Sequence, residues 1–299
     1  MSLVGAIEAG GTKFILAIAN RDGTILERAR LDTRHPDETL CEAATWFEGA
    51  ASRHGALSAF GIASFGPIDI DPGSPTYGTF TTTPKPGWSG ARFHDALARF
   101  DVPLAIDTDV NGAALGEYLA GAGQGARTIA YTTVGTGIGT GVVTDGAPVS
   151  GISHFESGHF RPARPRGDDW PGNCPYHGDC LEGLASGPAI LSRWGHDLSA
   201  APEEQISLVA DYLGELACAL VLLHMPGRMI FGGGVMKAPG LLEALRRTTR
   251  ARLGGYIAAW DRDLSEMIVA PALGDDAGIT GAIALGRSCI REASVAEGP

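Results

Sequence analysis

The chain has 299 residues, 44% of them hydrophobic and 19% charged, which is typical of a soluble globular protein with a sizeable core. Its 34 acidic and 23 basic residues give a formal net charge of −11, and no Lys/Arg run offers the basic surface of a nucleic-acid or anionic-membrane binder. No signal peptide is expected at the start, and no run of 18 apolar residues predicts a membrane span. The five sparse cysteines are typical of reduced thiols, so we expect a cytoplasmic protein.

The first part of the chain predicts three strands joined by glycine-containing turns, followed by alternating helices and strands. Apolar residues at helical spacing mark the helices, and β-prone runs bounded by Gly, Pro and Asp mark the strands. The predicted strands are residues 3–11, 14–23, 24–33, 59–66 and 102–110, and the predicted helices are residues 38–55, 91–100 and 111–121. This order is typical of the α/β class.

A second series begins at Thr128 and repeats the opening pattern of strand, glycine turn, strand and Asp-Gly turn. It continues with a helix at 202–224, a strand at 228–234, a helix at 237–253, a strand at 267–274 and a helix at 277–293. The repetition predicts two α/β domains that face each other across a cleft. The predicted domains are residues 1–112 and 113–285, and the last helix, about 286–299, is expected to pack back on the first domain.

Three glycine-rich turns each follow a predicted strand: residues 10–13, 135–139 and 232–234. Backbone N–H groups in such turns bind phosphate oxygens, because glycine lets the chain approach closely. Each turn alone is equally consistent with a tight hairpin, but the three together favour nucleotide binding. The second turn resembles the dinucleotide fingerprint, yet it leads into a strand and not into a helix, which excludes that interpretation. No Walker A sequence is present.

Two carboxylates, Asp107 and Asp109, lie between the apolar run at 102–106 and a predicted helix. The carboxyl end of a strand is where ligands bind in α/β folds. A carboxylate there can take the proton of a hydroxyl group during phosphoryl transfer. Both acids are also consistent with capping of the following helix, so the residues alone leave the choice open.

The loop at residues 173–183 contains the pattern C-x-x-H-x-x-C. Cys174, His177 and Cys180 offer three ligands at a spacing common in structural zinc sites. His154 and His159 are the upstream candidates for the fourth ligand, and spacing does not choose between them. The alternative is a metal-free turn, but the low cysteine usage favours a metal. Four protein ligands would leave no position for water, so such a zinc would be structural.

Short motifs stand in a fixed order along the chain: IEAGGTKF, FGPIDI, SPTYG with TTTPKPGW, DTDVNGAALGE, VGTGIGTGV, FESGH, CPYHGDCLEGLASGPA, FGGGV and GDDAGITGA. Together they closely resemble the fructokinases of the ROK family (repressor, open reading frame, kinase), sugar kinases of the actin/hexokinase-like superfamily. The resemblance extends to about Arg287, and CPYHGDCLEG with the nearby ESGH is its most specific part. It implies two ribonuclease-H-like domains, ATP with Mg²⁺ near Glu8 or Asp109, a homodimer, and phosphorylation of D-fructose to fructose 6-phosphate.

The resemblance also implies roles for individual residues. It makes Asp109 the catalytic base, although Thr108 stands where many members have Asn, and Glu8 stands where the superfamily usually has Asp. The implied ATP-binding residues are Gly10, Gly11, Thr12, Lys13, Thr133, Gly135, Thr136, Gly137, Gly232, Gly233 and Gly234. The implied hexose-binding residues are Gly66, Pro67, Thr83, Asn111, Glu156, His159 and Glu182.

The fourth zinc ligand is chosen on the same resemblance. In many ROK members the histidine of E-x-G-H binds zinc, whereas in fructokinase-like members an extra upstream histidine takes that place. The run SHFESGH contains this extra histidine. We therefore predict a zinc loop at 154–180 with His154, Cys174, His177 and Cys180 as ligands, and we expect His159 to face the sugar.

Two alternatives to a fructokinase remain open: a related ROK hexose kinase for mannose, glucose or an amino sugar, and a sugar-sensing protein. ROK repressors carry an N-terminal helix-turn-helix before the kinase-like core. Because the first glycine turn begins at residue 10, we expect no such element. Asp109 and the three glycine turns disfavour a non-catalytic sugar binder. The sequence thus predicts an ATP-dependent fructokinase with a hexose and ATP as its small-molecule partners.

Overall fold

The structure is a computed structural model that describes residues 2–296, and the side chains of residues 2–290. The strands are β1 Leu3–Ala9, β2 Lys13–Ala19, β3 Ile25–Asp32, β4 Leu57–Ser64, β5 Leu104–Thr108, β6 Thr128–Val134, β7 Ile138–Thr144, β8 Ala147–Pro148, β9 Arg228–Gly232 and β10 Ile268–Val269. The helices are α1 Pro36–His54, α2 Phe93–Leu97, α3 Asp109–Ala120, α4 Leu181–Ala185, α5 Gly187–Trp194, α6 Glu203–His224, α7 Leu241–Leu253 and α8 Ala277–Ala296. Short 3₁₀ turns lie between them.

These elements form two compact units, each built on one five-stranded mixed sheet. The described part of the first unit comprises residues 2–116, 150–154 and 275–296, and the second unit comprises 117–149 and 155–274. The domain boundaries that the sequence predicts, at residues 112 and 285, remain a prediction. The end of the predicted last helix, residues 297–299, lies outside the described residues.

The two sheets share one strand order. In the first unit the order is β3-β2-β1-β4-β5, with β1–β2 and β2–β3 antiparallel and β1–β4 and β4–β5 parallel. The second sheet runs β8-β7-β6-β9-β10 with the same directions. Each unit therefore has the arrangement that the repeated sequence pattern predicts, and the predicted α/β fold with two such domains is confirmed.

The central strands of the first sheet are buried on both faces, which explains their almost continuously apolar sequences. Successive residues of β1 point to opposite faces. Ile7 packs in one cluster with Phe47 of α1, while Ala6 packs in another with Ile279 and Ile283 of α8. Helices from distant parts of the chain thus cover the two faces.

Helix α8 lies unusually close to the first sheet because glycines face it. A Cβ atom on Gly61 of β4 would lie 1.9 Å from the carbonyl oxygen of Ala282. A Cβ atom on Gly281 would lie 1.8 Å from the carbonyl oxygen of Gly112 in α3. Any side chain at these positions would force the helix away from the backbone that it packs against.

In the second unit, α6 is the one helix among residues 2–296 that is long and apolar enough to cross a bilayer by length and composition. In its most apolar window 56% of the residues are buried. Leu213, Leu216 and Leu220 are among its residues in the hydrophobic core of this unit. Core packing accounts for the composition of the helix.

The sequence patterns predict neither of the two helices α4 and α5. Both are short, and α5 begins with Gly187-Pro188 after Ser186. The Ser186 side chain accepts a hydrogen bond from the Ala189 N–H at 3.3 Å. A serine cap followed by proline in the first turn is a helix-start signal that was present in the sequence.

Candidate functional site

Three parallel strands of the first unit end at the same edge of the sheet. The register pairs Ala9 of β1 with Ser64 of β4, and Ser64 with Thr108 of β5. The segments that follow these strands, the turn at 10–13, the segment at 65–68 and Asp109, therefore lie at one edge. This edge is where α/β folds bind ligands.

Asp109, the predicted base, is the first residue of α3 and is half-buried. Its Oδ1 atom accepts a hydrogen bond from the Val110 N–H at 2.8 Å. Asp107 is buried, and its Oδ1 atom accepts hydrogen bonds from the Thr108 N–H and from Asn111 Nδ2, both at 2.7 Å. Burial raises the pKa of Asp107, against the effect of these two hydrogen bonds. Asp107 thus orients Asn111, a predicted hexose contact.

Glu8 lies near the end of β1, and its Oε2 atom is buried without a hydrogen-bond partner among the described residues. Burial raises the pKa of Glu8 to about 7 against the opposing charge of Lys13, and the charge of Asp109 adds to the rise. Gly278 makes room for the carboxyl group, since a Cβ atom there would lie 2.6 Å from Glu8 Cδ. An orphaned carboxylate oxygen near a second acid fits a hard cation such as Mg²⁺.

The first glycine turn connects β1 to β2 and is held from the side of β3. The Gly10 N–H donates to the Lys13 carbonyl at 2.9 Å and closes the turn. Thr33, just after β3, donates its Oγ1 hydroxyl to the Gly10 carbonyl at 2.7 Å and its N–H to the Thr12 carbonyl at 3.0 Å. Lys85, which was not among the predicted site residues, also reaches this turn.

The segment after β4 begins with Gly66 and Pro67, which are joined by a cis peptide bond. Thr83 donates its hydroxyl to the Gly66 carbonyl at 3.2 Å, so these three predicted hexose contacts lie together. The Nε2 atom of His154 accepts a hydrogen bond from the Ile68 N–H at 3.4 Å. His154, the predicted zinc ligand, therefore lies in the first unit beside this segment.

In the second unit, β6 and β9 are parallel, and the register pairs Thr133 with Gly232. The second and third glycine turns consequently adjoin at one sheet edge. Gly233 has a φ of +91°, and a Cβ atom there would lie 2.3 Å from the Val134 carbonyl oxygen, so only glycine fits. In the second turn the Gly135 N–H donates to the Gly137 carbonyl at 2.9 Å, and Thr136 is exposed.

Glu182 supports the second glycine turn. Its Oε2 atom accepts a hydrogen bond from the Ile138 N–H at 2.9 Å, and a Cβ atom on Gly137 would lie 2.8 Å from the same oxygen. Glu182 is the second residue of α4, two residues after Cys180. A carboxylate that was predicted to bind hexose thus joins the cysteine loop to the glycine turn.

Four potential metal ligands lie together in the second unit: His159, Cys174, His177 and Cys180. Their ligand atoms are all within 4.8 Å of one another. The His159 Nδ1 atom is 3.6 Å from Cys180 Sγ and 3.9 Å from Cys174 Sγ, and His177 Nδ1 is 3.7 Å from Cys174 Sγ. Tetrahedral zinc with Zn–S of about 2.3 Å and Zn–N of about 2.0–2.1 Å requires S···N distances of about 3.6 Å. The cluster fits zinc.

The fourth member of this cluster is His159 and not His154, which lies in the other unit. The E-x-G-H run forms a 3₁₀ turn at Ser157–His159, with Gly158 packed so closely on β7 that a Cβ atom would lie 2.0 Å from the Ile138 carbonyl oxygen. The Leu181 N–H then donates to the Phe160 carbonyl at 2.9 Å and brings His159 next to Cys180. Glu156 is exposed and precedes the turn.

Backbone hydrogen bonds fix the turn that contains Cys174 and His177, two of the potential metal ligands. Cys174 and Gly178 exchange N–H···O bonds of 2.9 and 3.2 Å, and Gly178 closes this tight turn with a φ of +65°. Burial raises the pKa of the Cys180 thiol to about 11, and the neighbouring Cys174 and Glu182 add to the rise. Since thiolates are the ligands of zinc, metal binding here must release protons.

The profile of the ROK family matches residues 4–288 of this chain. A fructokinase from Zymomonas mobilis is 44% identical over 293 residues, which are 95% of this chain and 96% of the relative. A ROK hexokinase from Thermus thermophilus has a structure similar to this one with a TM-score of 0.76 at 28% identity, covering 97% of this chain and 99% of its own. A ROK family glucokinase from Streptomyces griseus, in complex with glucose and AMPPNP, gives a TM-score of 0.70 at 25% identity, covering 96% and 100%. The chain belongs to the ROK family.

Proposed function

We propose that this protein is an ATP-dependent fructokinase that converts D-fructose to fructose 6-phosphate. The gathering of Asp109 and the first glycine turn at one sheet edge carries the proposal of phosphoryl transfer. The 44% identity to a fructokinase over nearly the whole chain supports fructose as the substrate. The AMPPNP complex of the related glucokinase supports ATP as the phosphoryl donor.

In the proposed reaction, an Asp109 carboxylate oxygen takes the proton of the C6 hydroxyl group of the sugar. The sugar oxygen forms a bond to the γ-phosphorus while the bond between that phosphorus and its bridging oxygen breaks, and ADP leaves with the electron pair. Glu8 would hold Mg²⁺, which neutralises charge on the phosphates when bound. Backbone N–H groups of the first two glycine turns bind phosphate oxygens, and the third turn receives the adenosine.

The proposed hexose contacts are Gly66, Pro67, Thr83, Asn111 and Glu156. Glu182 and His159 act on the site indirectly. Glu182 holds the second glycine turn, and His159 belongs to the proposed zinc cluster. The five free cysteines support a cytoplasmic location. A homodimer is proposed from the family resemblance.

The four-ligand cluster is proposed as a structural zinc site with His159, Cys174, His177 and Cys180 as ligands. The S···N distances of 3.6–3.9 Å support this assignment. With four protein ligands the ion has no open position for water or substrate, so it stabilises the loop. Through α4 it also fixes Glu182 against the second glycine turn.

The substrate is tested by measuring ADP release with fructose, mannose, glucose and amino sugars, each with ATP. We expect the highest kcat/KM with fructose. A higher value with glucose or mannose would replace fructokinase by another hexose kinase. Hexose binding without ADP release from any sugar would instead indicate a sugar-sensing protein.

Glu8→Gln tests whether burial makes the ionised form of the Glu8 carboxyl group unfavourable in the folded protein. The folded-state pKa of about 7 exceeds the ordinary value of 4.5, so the folded protein binds this proton more tightly than the unfolded chain. The resulting stability is present below pH 4.5 and is lost as the pH rises to about 7. Between pH 5 and pH 8 the wild type should lose about 2–3 kcal/mol of unfolding free energy that Glu8→Gln retains.

Urea unfolding at the two pH values measures this difference. Glu266→Gln is the matched control, because Glu266 is exposed, and its pH dependence should follow the wild type. An equal pH dependence in Glu8→Gln and the wild type would show that Glu8 is ionised without cost.

A further inference from the structure

The segment Lys85-Pro86-Gly87-Trp88 forms a tight turn near the first glycine turn. The Trp88 N–H donates to the Lys85 carbonyl at 3.2 Å, and Gly87 has a φ of +80° after Pro86, as in a type II turn. The Trp88 ring is fully buried against Phe14 and Phe80, and its Nε1 atom donates to the Arg34 carbonyl at 2.9 Å. The core of the first unit therefore fixes the position of Lys85.

The ammonium group of half-buried Lys85 donates to two backbone carbonyls. The Nζ atom is 2.6 Å from the Gly11 oxygen and 3.4 Å from the Thr33 oxygen. The first acceptor belongs to the glycine turn, and the second belongs to the segment that follows β3. Lys85 thus donates hydrogen bonds to two backbone segments, the glycine turn and the segment after β3, at the end of the β2–β3 ladder.

The register shows which hydrogen bond is absent where Lys85 contacts the Thr33 carbonyl. The β2–β3 ladder pairs Lys13 with Asp32, so the next pair would be Thr12 with Thr33. Such an antiparallel pair exchanges two N–H···O bonds. The Thr33 N–H donates to the Thr12 carbonyl at 3.0 Å, but the reciprocal bond from the Thr12 N–H is not made among residues 2–296. Lys85 takes the Thr33 carbonyl oxygen in its place.

The hydrogen bonds that its carbonyl groups accept determine how the peptides of the first glycine turn are oriented. The oxygens of Gly10, Gly11 and Thr12 accept hydrogen bonds from Thr33 and Lys85. In a planar trans peptide the N–H points opposite to the C=O, so the N–H groups of Gly11 and Thr12 point away from these donors. Within the described chain, neither N–H donates to a backbone carbonyl.

We propose that Lys85 is a positioning residue that keeps the Gly11 and Thr12 N–H groups available for the phosphates of ATP. It does so by holding the Gly11–Thr12 peptide in one orientation and by occupying the carbonyl that would otherwise extend the ladder over Thr12. The inference rests on the proposed role of the first glycine turn in ATP binding. It adds a residue that acts on the nucleotide through the backbone.

The test compares Lys85→Met, which keeps the length of the side chain but loses the donors, with Lys85→Arg, which keeps a cationic donor. Arg21→Met is the control for the lost charge, because Arg21 is exposed at a turn of the same unit. Calorimetry with AMPPNP measures nucleotide binding without depending on the identity of the sugar. Hydrogen exchange at the Thr12 amide, followed by NMR, reports directly on the free N–H group.

We expect Lys85→Met to bind AMPPNP about tenfold more weakly, which corresponds to about 1.4 kcal/mol. The KM for ATP should rise by a similar factor, while the KM for the sugar should change less than about twofold. Thr12 exchange in the nucleotide-free protein should slow in Lys85→Met, because the ladder can then close over this amide. Lys85→Arg should restore most of the affinity, and Arg21→Met should match the wild type.

Equal AMPPNP affinity and equal Thr12 exchange in Lys85→Met and the wild type would overturn the role of Lys85 and leave the proposed function intact. Failure of the wild type to bind AMPPNP would overturn both. If Lys85→Met does not fold, Lys85→Gln takes its place, because its side chain is neutral and one atom shorter than that of lysine. A parallel rise of the KM for sugar and for ATP would show a general loss of structure and would also contradict the proposal.

Discussion

Replacement of Asp109 by alanine is expected to lower kcat by about 10²- to 10⁴-fold, the usual contribution of a general base. The loss should appear in kcat because the base acts mainly in the transition state, and AMPPNP should bind with the affinity of the wild type. The coupled ADP-release assay measures the first quantity, and calorimetry measures the second. Asp109 starts α3 at the edge where β1, β4 and β5 end, so the substitution removes a carboxylate without cutting into the core.

Asp109→Asn is the sharper variant. Its side-chain oxygen can still accept the Val110 N–H, which the wild-type carboxylate accepts at 2.8 Å, but it cannot take a proton from the sugar. It should therefore fold like the wild type and be nearly inactive. Near-wild-type kcat in both variants would exclude Asp109 as the base, and Asp107, two residues earlier, would become the candidate.

Zinc binding is the second result with a large expected effect. Purified protein should contain about one zinc ion per chain by elemental analysis, because four ligands close one tetrahedral site. Cys180→Ser and His159→Ala should lose the metal, and chelation should lower the unfolding temperature, since metal binding is coupled to local folding. Activity should fall as well, because Glu182 at the start of α4 would lose its fixed position against the Ile138 N–H.

His154→Ala is the matched control for the zinc experiment. His154 lies beside Ile68 in the first unit, so this variant should keep its zinc. Loss of zinc in His154→Ala together with retention in His159→Ala would reinstate His154 as the fourth ligand. Absence of zinc from all preparations made without chelators would show that the cluster binds no such ion.

The sequence predicts the order of the strands and the glycine turns well, because both depend on local chemistry. Alternating and apolar runs specify the strands, and glycine marks the turns where a side chain would collide, as at Gly233. The same local argument predicts a carboxylate between a strand and a helix, but it leaves Asp107 and Asp109 as alternatives, and only the family resemblance favours Asp109. These signals lie within a few residues of the features that they predict.

Local patterns do not predict the fourth member of the cluster of potential metal ligands. The pattern C-x-x-H-x-x-C brings three ligands together within one short loop, but the fourth depends on tertiary contacts. The packing of Gly158 on β7 and the hydrogen bond from Leu181 to Phe160 bring His159 to Cys180. The family resemblance favours His154, and the spacing of the residues does not choose between His154 and His159.

Two further residues depend on contacts between distant parts of the sequence. Lys85 reaches the Gly11 carbonyl 74 residues away, and Glu182 reaches the Ile138 N–H 44 residues away. Neither residue lies in a local sequence pattern that predicts its hydrogen-bond partner. The Pro86-Gly87 turn and the apolar Trp88 predict that Lys85 sits on an anchored turn, but not what its ammonium group contacts.

The place of α8 in the chain has a consequence for synthesis on the ribosome. One face of the first sheet is complete only when residues near Ile279 and Ile283 emerge, although Ala63 on that face is made about 220 residues earlier. At about 5–20 residues per second, this face waits roughly ten to forty seconds for its helix. Apart from Val4 and Ile15, the apolar strand residues on this face are small. Ala6, Ala17, Ala19, Gly61 and Ala63 expose little apolar surface to other nascent chains in that interval. The small side chains that allow the close approach of α8 thereby also limit aggregation before α8 exists.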